Sequence, residues 1–160
     1  MIMAIFDELQ LQYNRERQNA AQYSTFAASL EAANWPGFAA WMRKSAQDEQ
    51  AHAEKFAGYL IDRNQTPRLD ALDAPAPLDG NFPVPMFDAA LQLERGNTAR
   101  ILAIRELAEA EADGQTSVFL IWAIQEQTGS EREIVDRLLE LRRAEGNAAA
   151  MLLLDREAGK

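Results

Sequence analysis

The chain has 160 residues, 48% hydrophobic and 26% charged, with a formal net charge of −9, one histidine and no cysteine. That length and composition suit one globular unit with a sizeable core, and the missing cysteine excludes disulfides, thiolate metal sites and cysteine nucleophiles. The acidic balance argues against a nucleic-acid partner, whose phosphates call for clustered Lys and Arg, and favours cations as guests. The opening "MIMAIFDELQ" has neither a basic start nor a long apolar core. No apolar run approaches the roughly 18 residues of a membrane span, so a soluble, cytoplasmic protein without a membrane partner is expected.

Periodicity predicts four long helices. In the first, Ile2, Leu9, Glu16, Tyr23 and Leu30 recur every seven residues, with Phe6, Tyr13, Ala20 and Ala27 four further on, the inner stripe of a bundle helix. Asn34, Pro36 and Gly37 in "ANWPG" supply a turn and a fresh start. The second helix carries Phe38, Met42, Ser45, Glu49, His52, Phe56 and Tyr59 on one face. From about 65 to 85 the stretch "QTPRLDALDAPAPLDGNFPVP" holds Pro67, Pro75, Pro77, Pro83 and Pro85. It is too long for a tight turn and long enough to cross the full length of a bundle. The third helix is predicted from near Met86, with Phe87, Leu91, Glu94, Thr98 and Ile101 inward and Gly114 as its C-terminal stop. The fourth turns Leu120, Ile124, Gln127, Ile134, Leu138 and Leu141 inward, and "EGN" at 145 to 147 breaks it. The segment "AAAMLLLDREAG" predicts a short fifth helix. The expected fold class is all-α: a four-helix bundle over about 3–144, one long crossover over about 65–85 and a short helix over about 147–157, in a single unit spanning 1–160.

Glu16, Glu49, Glu94 and Gln127 interrupt these apolar stripes roughly 8 to 13 residues from their helix starts, about 12 to 20 Å along each axis. They therefore converge at mid-height even where helices run antiparallel. Three carboxylates buried apart would cost several kcal/mol each or take up protons, whereas around divalent cations they are satisfied. Any one of these acids could instead pair with a base, and Glu49 with His52 could be an ordinary helix-face pair. Yet Arg15, Arg17, Arg43, Lys44, Lys55 and Arg95 fall beside the stripes and Arg105 lies too near one end. Oxygen ligands with one nitrogen suit iron, with manganese and zinc as competitors. The fourth helix offers "EQTGSE" and no second Glu-x-x-His, which disfavours the symmetric di-metal arrangement of some bundles.

The stretches "ERQNAAQYS", "FAAWMRKSAQDEQAHAEKFAGYLIDRNQTPRL", "LQLERGNTARI" and "FLIWAIQEQTGSE" resemble the ferritins over nearly the whole chain, and the closing "NAAAMLLLDREAG" resembles the short fifth helix of cage ferritins, particularly cyanobacterial ones. The resemblance implies a dinuclear, non-haem iron centre that oxidises ferrous iron with oxygen or hydrogen peroxide and passes ferric product inward to mineralise. One iron position would use Glu16, Glu49 and His52. The other would use Glu94 and bridging Glu49, with Gln127 binding weakly or through water. Tyr23 would hydrogen-bond a ligand or donate an electron, or else simply fill the core with its hydroxyl satisfied. A third iron position would draw on Asp48 and Glu126, but Gly129 and Ser130 stand where two further acids are expected, so that position should be weak or absent. Glu131 faces near the site, either as a transient substitute or on a solvated face.

Gln50 occupies the position of the haem-binding methionine of bacterioferritins, so no haem is expected. The acids of three-fold channels are unmatched at Ser117 and Leu120, leaving Glu109, Glu111 and Asp113 as candidates for iron access. The partners implied are ferrous iron, the oxidant and further copies of the chain, in a homo-oligomeric cage of roughly 24 subunits. Two rival readings are a non-catalytic metal-buffering or structural cage subunit and a dimeric di-iron oxidase.

Overall fold

A computed structural model of the protein describes residues 2–76, 78 and 83–160, without the side chains of residues 2 and 3. The Ile2 side chain of the first stripe and Pro77 of the crossover thus lie outside what is described. The chain forms five helices: α1 (Ile2–Ala32), α2 (Pro36–Asp62), α3 (Pro83–Ala110), α4 (Gly114–Ala144) and α5 (Ala148–Ala158). α1 packs along α2 and α3 along α4, α1 also meets α3, and α5 lies against α2 and α4. This is the expected four-helix bundle with a long crossover and a short fifth helix. Among the described residues no helix is long and apolar enough to cross a membrane.

Local chemistry sets the boundaries. α1 and α2 are followed by Asn34 and Asn64 at φ 64 and 57, the left-handed conformation that asparagine tolerates. Pro36 opens α2, but Trp35 gives no side-chain cap. The cap comes from α5 instead, where Asp155 Oδ1 accepts the Phe38 N–H at 2.8 Å. Gly37 permits that approach, since a Cβ there would lie 1.6 Å from the Asp155 carbonyl oxygen. Two boundaries differ from the sequence reading. α3 starts at Pro83, where proline at the first helical position loses no hydrogen bond. Gly114 is no stop: it is the first residue of α4, and Ala112 takes the left-handed turn at φ 57. The cause is Asp113, whose side chain accepts the Thr116 N–H as the cap of α4, so the chain must turn before it.

A ladder of side-chain amides fixes the crossover. Gln10 exchanges hydrogen bonds with the Arg68 backbone (2.6 and 2.9 Å), Asn14 bonds Arg68 and Asp70, Gln18 donates to the Asp73 carbonyl, and Gln22 exchanges bonds with Ala76. Residue numbers rise together on both strands of this ladder, so the segment runs parallel to α1 and returns the chain to the end from which α3 starts.

The core is divided in two. One apolar cluster gathers Tyr23, Leu30, Phe38, Met42, Phe87 and Leu138, and a second gathers Ile5, Leu9, Phe56, Leu60, Ile101 and Leu120. Each such side chain contributes about 1.5–3 kcal/mol when buried. Between the clusters lies a buried polar belt of Gln12, Glu16, Asn19, Glu49, His52, Glu94, Asn97 and Gln127.

Candidate metal centre

The sequence reading brings Glu16, Glu49, His52, Glu94 and Gln127 to one level, and the structure brings all five into the belt, each at most 8% exposed. Glu16 (α1), Glu49 and His52 (α2) each turn one ligand atom inward, and these three atoms lie within 4.8 Å of one another. The three-residue spacing puts Glu49 and His52 on one face, with His52 Nδ1 3.3 Å from Glu49 Oε1. Its Nε2 is 3.4 Å from Glu126 Oε2, and the ring stands edge-on to Trp122.

Glu94 (α3) is held differently. The Tyr23 hydroxyl donates to its Oε1 at 2.5 Å, and Gln127 Nε2 (α4) donates to its Oε2 at 2.8 Å and to its carbonyl at 3.1 Å. Both carboxylate oxygens are thus engaged, and Glu94 stays outside the trio of close ligand atoms. Tyr23, 1% exposed, touches the site through this bond as well as filling the core.

Electrostatics show what the belt lacks. Burial pushes the Glu16 carboxyl well above the ordinary range, and the charge of Glu49 and a hydrogen bond with it add to the rise. Burial, reinforced by the charge of Glu94, pushes Glu49 up to about 8. Burial also raises Glu94, against the hydrogen bonds of Tyr23 and Gln127. The Tyr23 phenol is pushed up by burial and by Glu94, so it stays a donor at neutral pH. Burial thus favours the protonated forms of these acids, and no Lys or Arg among the buried residues of the belt offsets their charge. A divalent cation between them would replace those protons, and a set of carboxylate oxygens with one imidazole nitrogen fits iron, manganese or zinc.

Three buried carboxamides that the sequence reading missed orient the acids. Gln12 Nε2 donates to Glu16 Oε1 at 2.6 Å, Asn19 Nδ2 donates to Glu49 Oε2 at 3.0 Å, and Asn97 Nδ2 contacts Glu16 Oε1 and Oε2 at 3.2 and 3.4 Å. Their only signal is spacing: residues 12 and 19 flank Glu16 at four and three positions, and Asn97 follows Glu94 by three.

The auxiliary residues separate. Asp48 is exposed and pairs with Lys44 at 3.5 Å, whereas exposed Glu126 reaches His52. A cleft of about 40 Å³ runs past Ser45, Asp48, Ser130 and Glu133 to Glu49 and Glu94, room for about one water or ion. Glu131 is half-buried: it accepts the Thr98 hydroxyl at 2.6 Å, which draws it against α3. Asp113 is committed as the cap of α4 and the partner of Arg63 at 3.0 Å, exposed Glu109 pairs with Arg105 at 3.1 Å, and Glu111 is half-buried. Leu120 is fully buried in the second apolar cluster.

Residues 6–144 match the ferritin-like domain. The chain is 28% identical over 149 residues to a bacterial non-heme ferritin of Bacteroides fragilis (strain 638R), covering 93% of this chain and 92% of that one. It is 28% identical over 155 residues to a bacterial non-heme ferritin of Staphylococcus aureus (strain USA300), covering 97% and 93%. Among solved structures, an open pore ferritin from the hyperthermophilic archaeon Archaeoglobus fulgidus gives a TM-score of 0.94 at 30% identity, over 98% of this chain and 96% of that chain. A closed form of the Archaeoglobus fulgidus ferritin, engineered by site-directed mutagenesis, gives 0.94 at 31% identity, over 98% and 94%.

Proposed function

The chain belongs to the ferritin family, and from that premise we propose that it stores and detoxifies iron by oxidising ferrous ions at a dinuclear centre inside its own bundle. The observation that carries the reading is the convergence of Glu16, Glu49 and His52 ligand atoms within 4.8 Å, with no Lys or Arg among the buried residues of the belt. The first ion takes Glu16, Glu49 and His52. The second takes Glu94 and the shared Glu49, with Gln127 beside it. Two ferrous ions give one electron each to dioxygen, which with two protons becomes hydrogen peroxide; hydrogen peroxide itself can serve as the oxidant in a later turnover. Burial keeps bulk water from the pair, and the cleft beside Ser45 and Ser130 gives ions a path between the centre and the α2–α4 surface.

The proposed assembly is a homo-oligomeric cage of roughly 24 copies, which holds the ferric product. Sedimentation velocity separates such a particle from a dimeric oxidase. A second reading is favoured by one observation: both oxygens of Glu94 are already engaged, so the centre could hold a single ion and buffer it without oxidation.

Stopped-flow absorbance tests the choice. Metal-free protein is mixed in air with two ferrous ions per chain, beside the Glu16→Ala variant. A fast phase that saturates near two irons and vanishes in the variant is the outcome expected of a dinuclear oxidising centre. Equal slow traces would transfer the assignment to metal buffering.

A further inference from the structure

Asn97 is the side chain that joins the two halves of the belt. It is 0% exposed, and its Nδ2 contacts Glu16 at 3.2 and 3.4 Å and Gln127 Oε1 at 3.3 Å. Among the described residues no other side chain hydrogen-bonds both. Its amide cannot face the other way in this network, because Oδ1 accepts from Gln12 Nε2 at 2.7 Å, and that nitrogen also donates to Glu16.

Gln127 explains why this matters. Its Nε2 is turned to Glu94 and the Thr98 hydroxyl, so Oε1 is the only atom it can offer a cation. Asn97 is the donor that holds that oxygen toward the belt. An amide oxygen has two lone pairs, so Oε1 can keep the Asn97 hydrogen bond and still face an ion. An apolar residue here would leave Oε1 without its donor, its aim set only through the bonds of Nε2, and Glu16 short of a donor.

Resting on the dinuclear reading above, we propose that Asn97 is a positioning residue that aims the Gln127 side-chain oxygen at the Glu94 ion position and links that position to Glu16. It touches no ion itself. Its loss therefore acts on the second ion more than on the first, and acts through Gln127.

Calorimetric titration with zinc, which binds such donors without redox chemistry, tests this in the wild-type protein and in Asn97→Leu, Gln127→Leu and the double variant. Two zinc ions per chain are expected for the wild type. Asn97→Leu should weaken the second by about 10- to 100-fold and the first by less than about threefold, the cost of losing an outer partner at one position. In the Gln127→Leu background, Asn97→Leu should cause no further loss, as a double-mutant cycle requires of a residue acting through its partner. An equal effect on both ions, no effect, or a loss that persists without Gln127 would overturn the assignment. If the leucine variant does not fold, Asn97→Ala supplies the same cycle, because it removes the amide without adding bulk, charge or a new ligand. A wild type that takes fewer than two ions would overturn the dinuclear reading too; a wild type with two ions and an unresponsive cycle overturns only the role of Asn97.

Discussion

The two halves of the polar belt are built from similar residues and stand in opposite states. On one side Glu16, Glu49 and His52 turn ligand atoms toward one another, and burial raises the Glu16 and Glu49 carboxyls toward their protonated forms. On the other, Glu94 has both oxygens satisfied by Tyr23 and Gln127. The first half lacks a counter-charge and has its geometry ready; the second has its hydrogen bonds and must give some up before an ion enters. Ion binding should therefore begin at Glu16 and His52, with Glu49 as the group common to both positions.

Glu49→Gln strikes that shared group and should have the largest effect. Fast iron oxidation should fall by more than about 100-fold, beyond the cost of an outer partner, and stopped-flow absorbance reads it. His52→Ala removes a ligand from one side only. Zinc stoichiometry by calorimetry should fall from two to one, the Glu94 side being kept.

Acidity gives a third test of the contrast. Glu49 is pushed up to about 8 in the folded protein against 4.5 ordinarily, and Glu16 is raised in the same direction. The fold thus favours the protonated forms. The stability they contribute is full below about pH 4.5 and is lost as pH rises through about 8. The melting temperature of metal-free protein should fall over that window, and saturating zinc or Glu49→Gln should flatten the dependence. Tyr23→Phe should do least. Losing one buried hydrogen bond to Glu94 costs about 1–3 kcal/mol in urea unfolding of the metal-free protein, while zinc stoichiometry stays at two.

The difference between the halves also marks what could be read from sequence. A charged residue in an apolar stripe is conspicuous, so Glu16, Glu49 and Glu94 stood out, and the long apolar periods gave the four bundle helices. Gln12, Asn19 and Asn97 did not stand out, because a carboxamide suits a surface as well as a satisfied interior and carries no charge to demand a partner. The ladder of Gln10, Asn14, Gln18 and Gln22 was hidden for the same reason: its partners are backbone groups more than 50 residues away. Gly114 misled because glycine commonly ends helices, whereas here the capping need of Asp113 moved the turn to Ala112. Nor could spacing alone reveal that Glu94 is closed and Glu16 open, since that depends on Tyr23 and Gln127 arriving from two other helices.

Anomalous diffraction from crystals soaked with ferrous ion without oxygen tests the central claim most directly. Two iron peaks per chain are expected, one among Glu16, Glu49 and His52 and one between Glu49 and Glu94, with the Glu16 peak filling first at low iron. A single peak at every iron concentration, or peaks confined to Asp48 and Glu126 on the surface, would contradict the dinuclear centre.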